Sequence, residues 1–112
     1  MTIKWDEVKD EALGYFQKYL QIDTTNPPGN EGPAADFLTE ILKRAGLSVE
    51  AFEAEPGRPS IICRLKSGGS KGAIVLLHHM DVVPVEREKW SVDPFGGDIS
   101  DGFIWGRGSV DM

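Results

Sequence analysis

The chain has 112 residues, enough for one small domain, and its 40% hydrophobic and 27% charged content is that of an ordinary soluble globular protein. Eighteen acidic against twelve basic residues give a net charge of −6, which argues against nucleic acid as a partner because its phosphates would be repelled. No apolar run approaches the roughly 20 residues needed to span a bilayer, and a single cysteine, Cys63, excludes an intrachain disulfide.

The N-terminus, Met1 to Glu7, lacks the apolar centre of a signal peptide, so a cytoplasmic protein is expected. An amphipathic helix is predicted from about Asp6 to Ile22. Val8, Ala12, Leu13, Phe16, Tyr19 and Leu20 recur there at three- and four-residue steps. Asp6 suits the N-cap. Asn26-Pro27-Pro28-Gly29-Asn30 ends the helical pattern, since proline cannot continue the hydrogen-bond ladder. A second helix is predicted from about Gly32 to Ala45, with Pro33 in its first turn and Ala35, Leu38, Ile41, Leu42 and Ala45 as its buried stripe. Gly46 follows as the C-terminal cap.

Two short strands are predicted next, Leu47 to Phe52 and Ser60 to Leu65, with Cys63 a buried structural thiol on the second. Ala73-Ile74-Val75-Leu76-Leu77 is apolar on both faces, which suits a central strand covered by helices on each side. Pro84 to Trp105 reads as mostly irregular, closing on a hairpin about Asp101-Gly102. This order points to a layered α/β domain.

Chemistry concentrates at the C-terminal end of the apolar run, where ligands bind in open α/β sheets. Alternation sends His78 and His79 to opposite faces, while His79 and Asp81 share one side. A histidine ligand usually donates its second ring N–H to a carboxylate, a role Asp81 can fill. Asp111 follows thirty residues later, after the glycine-rich turn Gly106-Arg107-Gly108. That turn lacks the signatures of phosphate-binding loops, and Arg107 reads as structural. From the residues alone, His79 and Asp81 are also a satisfied polar pair at a strand end. Asp111 is equally a surface carboxylate or a helix cap.

The ordered set of motifs is more specific. Asn26-Pro27-Pro28-Gly29-Asn30-Glu31, Leu77-His78-His79-Met80-Asp81-Val82-Val83-Pro84, Trp90 with Asp93-Pro94-Phe95, and Asp101 through Met112 resemble the zinc aminoacylase and carboxypeptidase family. That family includes acetylornithine deacetylase, succinyl-diaminopimelate desuccinylase and dipeptidases. The resemblance implies an α/β fold, here the N-terminal part (residues 1–112) of a layered helix–sheet–helix hydrolase domain, incomplete and without the lid domain. It implies His79 as a metal ligand, Asp111 as the carboxylate bridging two metals, and Asp81 as the catalytic-site residue orienting His79. His78 occupies a position that is often a small residue in the family, so its role stays open.

The implied cofactors are two divalent ions, zinc first, with cobalt or manganese as alternatives. Such a pair polarises an amide carbonyl and acidifies a water, whose proton a general base must take. The family's base is one of two adjacent glutamates beyond the bridging aspartate. Glu86 and Glu88 precede Asp111 and do not match. The implied function is amide hydrolysis, of peptidase, aminoacylase or deacylase type, on a small N-acyl amino acid or peptide. Neither nucleic acid nor membrane is an expected partner, and a homodimer is compatible with the full-length protein. The chain alone is expected to be inactive, to bind metal weakly, and to expose an apolar sheet edge that promotes self-association. The alternative reading is a non-catalytic binding or assembly module that keeps the fold.

Overall fold

The computed structural model describes all residues, 1–112. Helix α1 spans Trp5–Leu20 and helix α2 spans Gly32–Arg44. The expected Asp6 cap is not formed. The helix starts one residue earlier, Lys4 is the N-cap without a side-chain hydrogen bond, and Asp6 and Glu7 lie in the first turn. There their charges favour the positive end of the helix dipole. Lys4 instead pairs with Glu7 at 2.8 Å. Pro33 sits in the first turn of α2 and Gly46 follows its end at φ 80°, both as expected. Ala34 and Ala35 are the buried residues of α2, whereas Ala45 is exposed.

Strands β1 (Val49–Glu55) and β2 (Arg58–Cys63) form an antiparallel hairpin with Val49 opposite Cys63 and Phe52 opposite Ser60. Both strands lie closer to the Pro56-Gly57 turn than the alternation predicted, because pairing runs up to the turn itself, as far as Glu55 opposite Arg58. Helix α2 packs on this hairpin. Cys63 is half-buried, not buried, since one helix covers only part of the sheet face. Strands β3 (Ile99–Ser100) and β4 (Phe103–Ile104) form the predicted second hairpin, with Asp101 at φ 52° and Gly102 at φ 80° as a type I′ turn requires. The irregular stretch before it contains one short 3-10 turn, Arg87–Lys89, and is tied to α1 by Gln17 and Gln21, whose amides donate to the carbonyls of Gly97 and Gly96 at 2.9 Å.

The apolar run Ile74 to Leu77 departs from expectation. It joins no sheet, and its four side chains are 82–94% exposed. A strand needs a hydrogen-bonded neighbour and apolar cover, and neither reaches this run. Only beyond it, at Val82, does a parallel bridge form with Thr25. The buried core is correspondingly small, with Leu20, Ala34, Ala35 and Pro94 at its centre and Thr24 and Glu31 as buried polar members. The radius of gyration is 16.0 Å, above the roughly 13 Å of a compact domain of this length. The chain is thus a small α/β unit of two helices and short antiparallel strands, the make-up of part of a layered hydrolase domain.

Candidate active site

The segment carrying His79 and Asp81 is held in place by the loop after α1. Thr24 Oγ1 donates to the Met80 carbonyl at 2.6 Å, Val82 N–H donates to Thr24 at 3.2 Å, and Asn26 N–H donates to Val82 at 2.8 Å. These bonds satisfy the backbone groups of Met80 and Val82 on either side of Asp81, and they fix the chain direction there. The glycine-rich turn brings Asp111 in from the other side. Gly108 has φ 89°, and a Cβ there would lie 2.9 Å from Val82 Cγ1. Only glycine lets the turn approach Val82 so closely.

The three residues singled out from the sequence meet. His79 Nδ1 lies 2.9 Å from the Asp81 carbonyl oxygen and 3.1 Å from Asp81 Oδ1. His79 Nε2 lies 3.2 Å from Asp111 Oδ1. A carbonyl oxygen can only accept, so Nδ1 carries a proton and donates to Asp81. In the neutral ring the Nε2 lone pair then faces the Asp111 carboxylate. Without a proton two acceptors would face one another; a proton on Nε2 turns the contact into a charge-assisted hydrogen bond.

The electrostatics follow from this arrangement. Asp111, then the Asp81 carbonyl, raise the His79 pKa above its ordinary value. Asp81 is lowered, chiefly by the amide donor of Asn26, whose Nδ2 is 2.8 Å from Asp81 Oδ2. Asp111 is lowered by His79 and by the Met112 N–H, which donates to it at 2.9 Å.

The donor set suits a divalent ion of zinc type. Two ligands of one tetrahedral ion, each about 2.1 Å from it, stand roughly 3.4 Å apart, close to the 3.2 Å between Nε2 and Oδ1. Nowhere do three or more His, Cys, Asp or Glu side chains converge as an ion site. His79 Nε2 and Asp111 Oδ1 face each other as a pair, and Asp81 contacts the opposite ring nitrogen.

His78 diverges from His79, as alternation predicted. Its Nε2 is 3.3 Å from the Tyr19 hydroxyl, whose pKa burial pushes up to about 12. Glu86 is exposed and pairs with Lys89 at 2.6 Å, away from the cluster. Arg107 lies 5.4 Å over the Trp90 ring, which supports its structural reading. Sequence reasoning did not single out Arg58, whose Nη2 lies 2.7 Å from Glu31 and 3.6 Å from Asp81. Asn26 and Glu31 were visible only as members of the Asn-Pro-Pro-Gly-Asn-Glu motif. Arg58 carried no signal, lying outside the strand predicted from Ser60 to Leu65.

Comparison with known proteins agrees with the motif reading. Residues 75–112 match the pattern of peptidase family M20/M25/M40. The chain is similar to aminoacylase-1 of Sus scrofa, with 37% identity over 114 residues, covering 100% of this chain and 28% of the relative. It is also similar to succinyl-diaminopimelate desuccinylase of Methylorubrum extorquens, with 47% identity over 103 residues, 89% of this chain and 26% of the relative. Human aminoacylase-1 is 35% identical over 114 residues. The chain spans little more than a quarter of the length of these relatives. Motif order, the matched family pattern over residues 75–112 and relatives aligned along the full chain all point to similarity with peptidase family M20/M25/M40.

Proposed function

We propose that residues 1–112 form the N-terminal part of the catalytic domain of a metal-dependent amidohydrolase. Its substrate is a small N-acyl amino acid or peptide, as the names aminoacylase-1 and succinyl-diaminopimelate desuccinylase suggest for relatives of this chain. One observation carries the reading. The Nε2 lone pair of His79 and the Asp111 carboxylate face each other at 3.2 Å, an arrangement that calls for a cation.

His79 and Asp111 are the proposed metal ligands, and Asp111 is the carboxylate shared between two ions. Zinc is the first choice, with cobalt or manganese as alternatives. When bound, a pair of divalent ions would polarise the amide carbonyl and acidify a water. Asp81 accepts from Nδ1, fixing the ring orientation and keeping the lone pair on Nε2. The general base and the remaining ligands are assigned to residues outside 1–112, so the chain alone is inactive and binds metal weakly. A cytoplasmic location and a homodimer of the full-length protein belong to the same proposal. No helix is long and apolar enough to cross a membrane.

Calorimetric zinc titration of the chain, with His79→Ala and Asp111→Ala, tests the ligand assignment. Weak binding abolished by either substitution is expected. Binding that persists unchanged in both variants refutes the site. Turnover of N-acyl amino acids by the chain, lost in His79→Ala, would refute its inactivity.

A further inference from the structure

We propose that Arg58 is a positioning residue for Asp81, anchored by Glu31 and given room by Gly29. The proposal rests on the reading of Asp81 as the group that orients His79. Glu31 is buried, with 7% of its side chain exposed, and it is the N-cap of α2 through its backbone, with no side-chain cap hydrogen bond. Its carboxylate turns instead to Arg58, which donates from Nη2 to Oε1 at 2.7 Å and from Nε to Oε1 at 3.0 Å. This two-point contact sets the plane of the guanidinium. The same Nη2 lies 3.6 Å from Asp81 Oδ2, the oxygen that accepts from Asn26 Nδ2 at 2.8 Å. Asp81 Oδ1 is left for His79 Nδ1.

The Asn26–Glu31 turn is shaped around this side chain. Gly29 has φ 82°, and a Cβ at Gly29 would lie 2.6 Å from Arg58 Nε. One turn thus supplies the amide that grips Asp81, the gap through which Arg58 passes, and the carboxylate that anchors it. Arg58 is not a receptor for a substrate carboxylate. Glu31, Glu55 and Asp81 already surround its guanidinium, at 2.7, 3.7 and 3.6 Å, and an incoming anion would meet net negative charge. A lysine could not replace it in full, because a single ammonium lacks the planar fork that faces Glu31 and Asp81 together.

The test pairs a ring-nitrogen 1H–15N correlation spectrum of the chain with calorimetric zinc titration. The spectrum is recorded well above the ordinary histidine pKa of about 6.5, where the neutral ring reports its tautomer. Arg58→Gln is expected to lower the Nδ1–H share of His79 and to weaken zinc binding about tenfold, the low end for partners that orient a ligand. Arg58→Lys is expected to fall between. A wild-type tautomer ratio and wild-type zinc affinity in folded Arg58→Gln overturn the proposal. If Arg58→Gln loses its dispersed amide spectrum, Asp81→Asn reads the coupling from the other side. The Arg58 Nη resonances are then expected to move, and unmoved resonances overturn the proposal. If the wild-type chain binds no zinc, the metal reading fails, and the tautomer comparison still decides the role of Arg58.

Discussion

Replacing Gly108 with alanine would show how much of the site depends on the close approach of the glycine-rich turn. The backbone there has φ 89°, and an added Cβ would lie 2.9 Å from Val82 Cγ1. Positive φ costs a non-glycine residue roughly 1–2 kcal/mol. Ordinary van der Waals contact starts near 3.4 Å, so Val82 Cγ1 would have to retreat by about 0.5 Å. Val82 cannot retreat easily, because its N–H and carbonyl are bonded to Thr24 and Asn26 at 3.2 and 2.8 Å. Crowding of this kind typically adds 1–3 kcal/mol. The combined cost, about 2–5 kcal/mol, is a large share of the stability of any small domain. The segment from Gly108 to Met112, exposed from Val110 onward, is therefore expected to move, taking Asp111 away from His79. Two measurements follow the change, the urea midpoint and the His79 titration by NMR. The midpoint is expected to fall, and the His79 pKa to return towards its ordinary value. In Val82→Ala/Gly108→Ala the crowding is relieved and the φ penalty remains, so a double-mutant cycle should recover part of the loss. A Gly108→Ala chain with an unchanged midpoint and an unchanged His79 titration would refute the reasoning.

Asp111→Asn is expected to lower the His79 pKa, because Asp111 is the largest cause of its rise; NMR titration of the ring checks this. The signs fix a pH window for the wild-type contact. A raised histidine pKa contributes stability below the unfolded value near 6.5, and that contribution is lost as pH rises through the folded value. The lowered Asp81 and Asp111 contribute above the ordinary carboxylate value near 3.8 and lose their contribution as pH falls through their folded values. The metal-free cluster is thus most stable between these limits, while zinc binding should tighten above them as the competing proton leaves Nε2. Leu76→Lys is expected to reduce concentration-dependent self-association, since Leu76 is 94% exposed amid four consecutive apolar side chains. Sedimentation velocity checks this, and equal association of both proteins counts against it.

What the sequence disclosed follows the range of the interactions involved. Helix α2 and the Asp101-Gly102 hairpin were legible because their signals lie within a few residues: Pro33, Gly46 and a turn pair with positive φ. The start of α1 was less legible, since Lys4 caps with backbone alone and no side-chain bond marks the boundary. The run Ile74 to Leu77 has the composition of a buried strand, but composition does not supply a neighbour, and pairing is decided by residues far away in the chain. In the site, the two-residue spacing of His79 and Asp81 indicated only a shared side, and it was the ordered set of motifs that singled them out together with Asp111. Nothing local brings Asp111 to His79; that contact depends on Gly108 packing against Val82. Arg58 was invisible for the same reason, being separated from Glu31 by 27 residues.

These distant contacts converge on one ring. Asp81 holds Nδ1, and Asn26 and Arg58 approach the far oxygen of Asp81, so the identity of the proton-bearing nitrogen is set on one side of His79. On the other side stands Asp111, which has no hydrogen to offer when ionised. A proton satisfies that pair by converting His79 to imidazolium, which is why Asp111 raises the His79 pKa. A divalent ion satisfies it without a proton and leaves the ring neutral. In the proposed metal site, proton and metal would compete for one gap, and every group that keeps Nδ1 protonated would leave Nε2 free for either. The Asn26–Glu31 turn, far from His79 in sequence, would act on that competition through its contacts with Asp81 and Arg58.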